Sequence, residues 1–133
     1  MACKSIDELE FNGEVLYSKE HTWARVEGNL YVVGISDYAQ DQLGEIIFIE
    51  LPRQGDQFQQ GGVFGFVESV KTASDLSMPV TGQIVGINEN LDDSPELVNQ
   101  DPYHKGWMIK VKSDCPADLS HLLSAADYKN FLQ

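Results

Sequence analysis

Short alternating apolar runs, separated by turn residues, fill most of the chain. Two such runs between positions 21 and 35 surround Glu27-Gly28-Asn29, residues that suit a tight turn, and together they predict a β-hairpin. The apolar run at 45–52, which ends in a proline, predicts a buried strand, and residues 107–112 alternate as a final strand. Short strands therefore dominate the predicted fold.

Three segments carry helix signals instead. Ser36 is a favourable N-cap and Gly44 a favourable stop, so a short helix is predicted over 36–44. Ser94-Pro95 predicts one short helix near 94–99, because proline is favoured at the first helical position. Apolar residues near helical spacing between 116 and 132 predict one or two helices there.

A chain of 133 residues is long enough for one domain with a modest core. The element pattern predicts a mainly β fold, a flattened barrel or sandwich of two small sheets with short peripheral helices and a C-terminal helix. Residues 1–16 are polar with scattered apolar positions, and we expect them to form an N-terminal extension packed on the body. Residues 17–133 would then form the single domain.

Charge and composition disfavour several classes of binding partner. Nine Lys and Arg residues against 21 Asp and Glu residues give a formal charge of −12, which disfavours nucleic acid and anionic membrane surfaces as partners. No apolar run approaches the ~20 residues of a membrane span, and residues 1–8 lack a hydrophobic signal region. We therefore expect a cytoplasmic protein. Cys3 and Cys115 lie far apart and are expected to be free thiols.

Few residues could form a catalytic centre. His21, His104 and His121 are scattered, and the sequence contains no nucleophile elbow, metal-binding pair or phosphate loop. The sequence therefore favours a protein that is not an enzyme. Trp23 and Trp107 are expected in the core rather than at a cofactor.

A single lysine stands in the polar stretch 68–76, between β-type runs at 61–67 and 78–87. We expect these two runs to be the arms of a hairpin, with Lys71 exposed at its tip. A lysine on a rigid turn suits acylation, because a modifying active site can enclose a protruding tip. Taken alone, a solvated surface lysine would be the ordinary interpretation.

The run Val67-Glu68-Ser69-Val70-Lys71-Thr72-Ala73-Ser74-Asp75-Leu76, with Pro79-Val80-Thr81-Gly82, resembles the lipoylation site of the H-protein family of the glycine cleavage system. Similar blocks occur at 34–40, 43–46, 95–99 and 106–110, so the resemblance covers roughly 17–131. It implies a β-sandwich or barrel of the lipoyl-carrier type and the role of a substrate shuttle.

The resemblance also implies specific residues and partners. Lys71 would carry lipoate in amide linkage as a swinging arm, and Glu68, Ser69 and Asp75 would mark the modified loop for the lipoate ligase or the lipoyl or octanoyl transferase. The arm would carry the aminomethyl group from a pyridoxal-phosphate glycine decarboxylase to a tetrahydrofolate-dependent aminomethyltransferase, and dihydrolipoamide dehydrogenase would re-oxidise it. Alternatively, Glu68 and Asp75 merely solubilise the turn.

The family docks its loaded arm in a surface cleft, for which His21 and Thr22 are the candidates here. The family usually has His-Glu-Trp where this chain has His21-Thr22-Trp23, and threonine cannot pair a charge, so Glu20 is a candidate replacement. This departure leaves open a lipoate-binding relative serving another pathway, such as sulfur metabolism. A biotin carrier is disfavoured, because Val70 and Thr72 flank the lysine in place of methionines.

Overall fold

Two antiparallel sheets form the body of the protein. The computed structural model describes residues 4–113 and 115–133. The strands are β1 Leu16–Tyr17, β2 Thr22–Glu27, β3 Leu30–Ile35, β4 Ile46–Glu50, β5 Gln57–Phe58, β6 Val63–Ser69, β7 Ala73–Ser77, β8 Gly82–Ile87 and β9 Ile109–Lys112. One sheet has the order β1-β2-β3-β9-β8-β5 and the other β4-β6-β7. The predicted mainly β fold of two small sheets is confirmed.

Short helices lie around the sheets. They are α1 Asp37–Leu43, α2 Asn90–Asp93, α3 Leu97–Gln100 and α4 Ala125–Leu132, with 3₁₀ helices at Ile6–Glu8 and Pro116–His121. The prediction of α1 is confirmed, since the Ser36 hydroxyl accepts the Ala39 N–H at 3.1 Å. The helix predicted near 94–99 begins only at Leu97, and a second short helix, α2, precedes it. Proline disfavours helical backbone in the residue before it, so Ser94 ends α2 and a separate turn of helix follows.

The hairpin that carries Lys71 differs from its prediction in its second arm. Strand β6 pairs with β7, and only residues 70–72 lie between them. The predicted partner, β8, pairs instead with β5 and β9 in the six-stranded sheet. Polar residues Ser74 and Asp75 form a strand because β7 is an edge strand and both side chains are exposed there.

Strand β4 is also less buried than predicted. Ile46 and Ile49 are buried, whereas Ile47 is 53% and Phe48 46% exposed. The register of β4 with β6 shifts between Ile46 and Phe48, so the simple alternation of buried and exposed residues is interrupted there and two consecutive side chains face solvent.

The core has two parts. The larger cluster fills the space between the sheets with aliphatic side chains such as Val33, Val67 and Ile84. The smaller one is aromatic and groups Tyr17, Trp23, Tyr103 and Tyr128. Trp23 is fully buried and its indole N–H donates to the Ile35 carbonyl at 2.9 Å, as expected of a core residue. Trp107 is half-buried and packs against this cluster.

The segment that precedes β1 packs on this aromatic cluster and on α1. Leu9 and Val15 are buried, and the Glu10 N–H donates to the Asp37 carboxylate at 2.8 Å. Cys3 lies outside the described residues, whereas Cys115 is an exposed free thiol. None of the described helices has the length and apolar character needed to cross a membrane.

Candidate functional site

The tip of the β6–β7 hairpin is a tight turn that Ser69 holds in place. The Ser69 N–H donates to the Thr72 carbonyl at 2.7 Å, which closes the turn. The Ser69 hydroxyl oxygen also accepts the N–H groups of Lys71 at 3.2 Å and Thr72 at 3.1 Å. Ser69 is only 7% exposed, whereas Lys71 is exposed. The buried serine thus fixes the backbone from which the lysine projects.

A second set of contacts ties this tip to the segment after α1. The Val70 N–H donates to the Glu45 carbonyl at 3.0 Å. The Lys71 side chain lies over Gly44, where an added Cβ would stand 3.0 Å from Lys71 Cε. Gly44 has a φ of +78°, a conformation that favours glycine. The stem of Lys71 therefore packs on a bare stretch of backbone.

Asn99 supports that stretch and was not singled out from the sequence. Its amide nitrogen donates to the Gly44 carbonyl at 2.8 Å and to Gln40 Oε1 at 2.9 Å, and its amide oxygen accepts the Ile46 N–H at 2.9 Å. One side chain thus fixes both ends of the turn beside Lys71. No local pattern marks a contact between residues that are 53 positions apart.

Replacing Asn99 with alanine is expected to lower the free energy of unfolding by about 1–3 kcal/mol, because it leaves the Ile46 N–H and the Gly44 carbonyl without their partner. Urea denaturation followed by circular dichroism measures the change. Replacement of the exposed Asn90 is the matched control. Equal unfolding midpoints for the two variants would contradict the supporting role of Asn99.

A cleft of about 270 Å³ lies beside the hairpin, between β6–β7, α1 and the start of β2. It brings together the predicted cleft residues His21 and Thr22 with Asp75, which was predicted as a recognition residue. Glu68 and Ser69 do not line it. The lining consists of Glu20, His21, Thr22, Ile35, Tyr38, Ala39, Gln42, Leu43, Val67, Ser74, Asp75 and Leu76.

His21 is held in this cleft by the C-terminal helix. Its Nδ1 lies 2.7 Å from the Tyr128 hydroxyl, which is also 2.8 Å from the Ser36 hydroxyl. The Tyr128 ring stacks on Tyr17 with their centroids 4.3 Å apart. Burial lowers the pKa of His21, although the Glu20 carboxylate opposes this shift, and burial raises the pKa of Tyr128. His21 is therefore a neutral wall residue at pH 7.

His21 should make the stability of the protein depend on pH below about 6.5, its ordinary pKa. Below about pH 6.5 the histidine of the unfolded chain takes up a proton, whereas folded His21, with its lowered pKa, does so only at lower pH. The contribution of His21 to the free energy of unfolding is therefore fully present above about pH 6.5 and is lost as the pH falls through the pKa of the folded state. His21→Asn, which tolerates the observed φ of +73°, should show a smaller fall in Tm between pH 7.5 and 5.5 than the parent.

The control for this measurement is His121→Asn, because His121 is exposed. Its fall in Tm should match that of the parent. A parent and a His21→Asn variant with the same pH dependence would show that His21 does not titrate in the expected range.

Thr22 contributes to the cleft without contributing charge. It is 1% exposed, and its hydroxyl lies 2.7 Å from that of Ser18. Glu20 and Asp75 are both exposed and supply the carboxylates of the lining. The negative charge of the cleft therefore comes from exposed residues of its lining and not from the buried threonine.

A second cavity lies away from the hairpin tip. A larger groove of about 520 Å³ runs along β5 and β8 and includes Lys112 and Cys115, but none of its lining residues belongs to the tip. In residues 4–113 and 115–133, no three His, Cys, Asp or Glu side chains form a group that could hold a metal ion. We therefore take the exposed lysine and its neighbouring cleft as the site.

Comparison with known proteins finds close similarities in sequence. The family model described as "Glycine cleavage H-protein" matches residues 15–133. The glycine cleavage system H protein of Carboxydothermus hydrogenoformans is 53% identical over 120 residues, which cover 90% of this chain and 92% of that protein. The H protein of Symbiobacterium thermophilum is 53% identical over 118 residues, 89% of this chain and 92% of that one.

A solved structure shows the same fold. The crystal structure of a glycine cleavage system H protein from Mycobacterium marinum superposes with a TM-score of 0.84 at 34% sequence identity. The match covers 91% of this chain and 98% of that chain.

Proposed function

The chain belongs to the glycine cleavage H-protein family, and on that basis we propose that Lys71 is the residue that carries its lipoyl group. As a member of this family it is the lipoyl carrier of the glycine cleavage system, and it is a non-catalytic component. Its partners are the glycine decarboxylase, the aminomethyltransferase and the dihydrolipoamide dehydrogenase of that system. The observation that carries the assignment of Lys71 is its exposed position at the tip of a turn of only three residues, 70–72.

Lys71 fits covalent attachment of an acyl group. Its amine is exposed, and none of the ion pairs found among the described residues includes it, so forming a neutral amide breaks no salt bridge there. Its stem rests on Gly44, so the side chain is supported while the residue as a whole is exposed. Once attached, lipoate supplies a disulfide that accepts the aminomethyl group of glycine. Attachment itself requires a lipoate ligase or a lipoyl or octanoyl transferase.

We assign the cleft beside the hairpin to the arm. Ile35, Leu43 and Leu76 give it apolar walls, which suit a chain of methylene groups. Glu20 and Asp75 place carboxylates at the same cleft, which suit a terminal ammonium group. His21 and Thr22 act as wall residues, and the two carboxylates provide the charge that Thr22 lacks.

The remaining site residues divide into two roles. Glu68 and Asp75 are exposed on either side of the turn and are the recognition residues of the modified loop. Ser69 serves recognition indirectly, since it fixes the turn that presents Lys71. We further propose that residues 17–133 form the carrier domain, that residues 1–16 are an extension of it, and that the protein acts in the cytoplasm.

The test combines mass spectrometry with a reconstituted reaction. After incubation with a lipoate–protein ligase, lipoate and ATP, the intact mass should increase by one lipoyl group, and peptide mapping should place it on Lys71. Only the modified chain should support glycine-dependent exchange of carbon dioxide by a glycine decarboxylase. Lipoate on another lysine would refute the site. Full modification of Lys71 without exchange would refute the role of that site in the shuttle.

A further inference from the structure

The outer face of the three-stranded sheet is aromatic and lies open beside Lys71. The rings of Phe48 and Phe66 meet there with centroids 5.8 Å apart, and Phe48 is 46% exposed. Ile47 and Val70, which border these rings along the chain toward the tip, are 53% and 61% exposed. We call the surface formed by Phe48 and Phe66 the aromatic face. Exposed aromatic surface of this kind is typical of binding sites rather than of bare sheets.

Three carboxylates lie next to the two rings, at the positions paired with them on the neighbouring strands. Glu68 stands opposite Phe48 on the neighbouring strand, and Glu50 and Asp75 stand opposite Phe66 on the two strands that flank it. Strands β4, β6 and β7 contain no lysine or arginine. The groove of about 320 Å³ next to Phe48 adds Glu89 and Asp92 to its lining. The whole surface is therefore apolar at its centre and negative around it.

We propose that the aromatic face is the docking surface for the enzyme that acylates Lys71, an inference that rests on the proposed attachment at this residue. The chain has seven lysines, and before modification the Lys71 amine is chemically the same as the others. The acylating enzyme must therefore recognise the surroundings of the lysine. Enzymes that act after attachment can recognise the lipoyl group itself. Phe66 lies on the hairpin that carries Lys71, and Phe48 on the adjoining strand stands opposite Glu68, three residues before the lysine. An enzyme seated on the aromatic face is therefore next to the tip.

The charges specify the chemistry of this partner. Its surface should present an apolar side chain to the two rings and lysine or arginine side chains to Glu50, Glu68 and Asp75. A second copy of this chain does not fit, because a symmetric dimer would set the same carboxylates against each other. The net charge of −12 adds to that repulsion.

Steady-state kinetics of lipoylation test this surface. Phe48→Ser and Phe66→Thr, alone and combined, should raise the KM for the carrier about tenfold or more while kcat stays within about twofold, as expected when ground-state and transition-state binding are lost together. Val26→Thr is the matched control, since Val26 is 60% exposed on the other sheet. Thermal melting verifies that all of the variants fold. Unchanged KM values in the folded double variant would overturn the proposal.

A competition experiment separates this inference from the attachment site. A Lys71→Arg carrier has the aromatic face but no acceptor amine, so it should inhibit lipoylation of the parent competitively. Adding Phe48→Ser to that carrier should relieve the inhibition. If peptide mapping of the parent places lipoate elsewhere, the attachment proposal fails. If Lys71 is modified but the Phe48→Ser competitor inhibits equally well, the docking proposal alone fails. A parent dimer that Phe48→Ser dissociates would assign the face to a second copy and overturn the proposal.

Discussion

Replacing Lys71 with arginine is expected to abolish lipoylation completely while leaving the fold unchanged. The arginine guanidinium stays protonated at neutral pH and cannot take the place of the lysine amine as a nucleophile. The bonds that hold the turn come from the backbone and from Ser69, so the fold does not depend on the Lys71 side chain. Intact mass after incubation with a lipoate–protein ligase and thermal melting measure the two effects.

The matched control is Lys105→Arg, because Lys105 is also exposed and lies on a turn. This variant should gain one lipoyl group like the parent. A Lys71→Arg protein that still gains the lipoyl mass would refute the assignment of the attachment site. A large drop in its Tm would instead show that the lysine stem contributes to the fold.

Replacing Gly65 with alanine is expected to cause the largest loss of stability among these variants, about 3 kcal/mol or more. A Cβ at this position would stand 2.1 Å from the Glu50 carbonyl oxygen, which belongs to the backbone of the neighbouring strand β4. Because the atom that the Cβ would meet is a backbone oxygen, it cannot rotate away as the end of a side chain could. The clash is therefore removed only if β4 and β6 move apart. Gly65 also lies where the register of β6 and β7 shifts. Urea denaturation measures the loss.

Gly13→Ala is the control for this substitution, because nothing lies within 4 Å of a Cβ built there. Its free energy of unfolding should stay within about 0.5 kcal/mol of the parent. If Gly65→Ala and Gly13→Ala had the same free energy of unfolding, β4 and β6 would have to lie further apart at this position than the structure shows. The rate at which the folded Gly65→Ala protein is lipoylated would further show whether the substitution also changes the turn that presents Lys71.

The parts of the fold predicted correctly have local causes. Helix α1 is determined by Ser36 at one end and Gly44 at the other, and the β2–β3 hairpin by the turn at Gly28. Strand β7 was missed because its polarity fits a loop equally well, and only its pairing with β6 makes it a strand. Strand pairing depends on residues that are distant in sequence, so a local pattern cannot supply it.

The residues of the site likewise divide into those that a local sequence pattern marks and those that depend on distant contacts. Lys71 and its turn could be located from one continuous motif. Asn99 and Tyr128 could not, because each acts through a contact with a remote segment, Asn99 with the end of α1 and Tyr128 with His21. The resemblance drew attention to Thr22, but a sequence comparison does not show that the Thr22 hydroxyl bonds to that of Ser18. It also does not show that Glu20 and Asp75 meet at one cleft.

The bonds that shape the hairpin tip use the Ser69 hydroxyl, main-chain amides and main-chain carbonyls, and none of them uses Lys71 Nζ. Acylation of Lys71 therefore breaks none of the bonds that hold the turn. An enzyme that accepts only one form of the carrier would then distinguish the two by the prosthetic group and by whether that group fills the cleft, rather than by the turn itself.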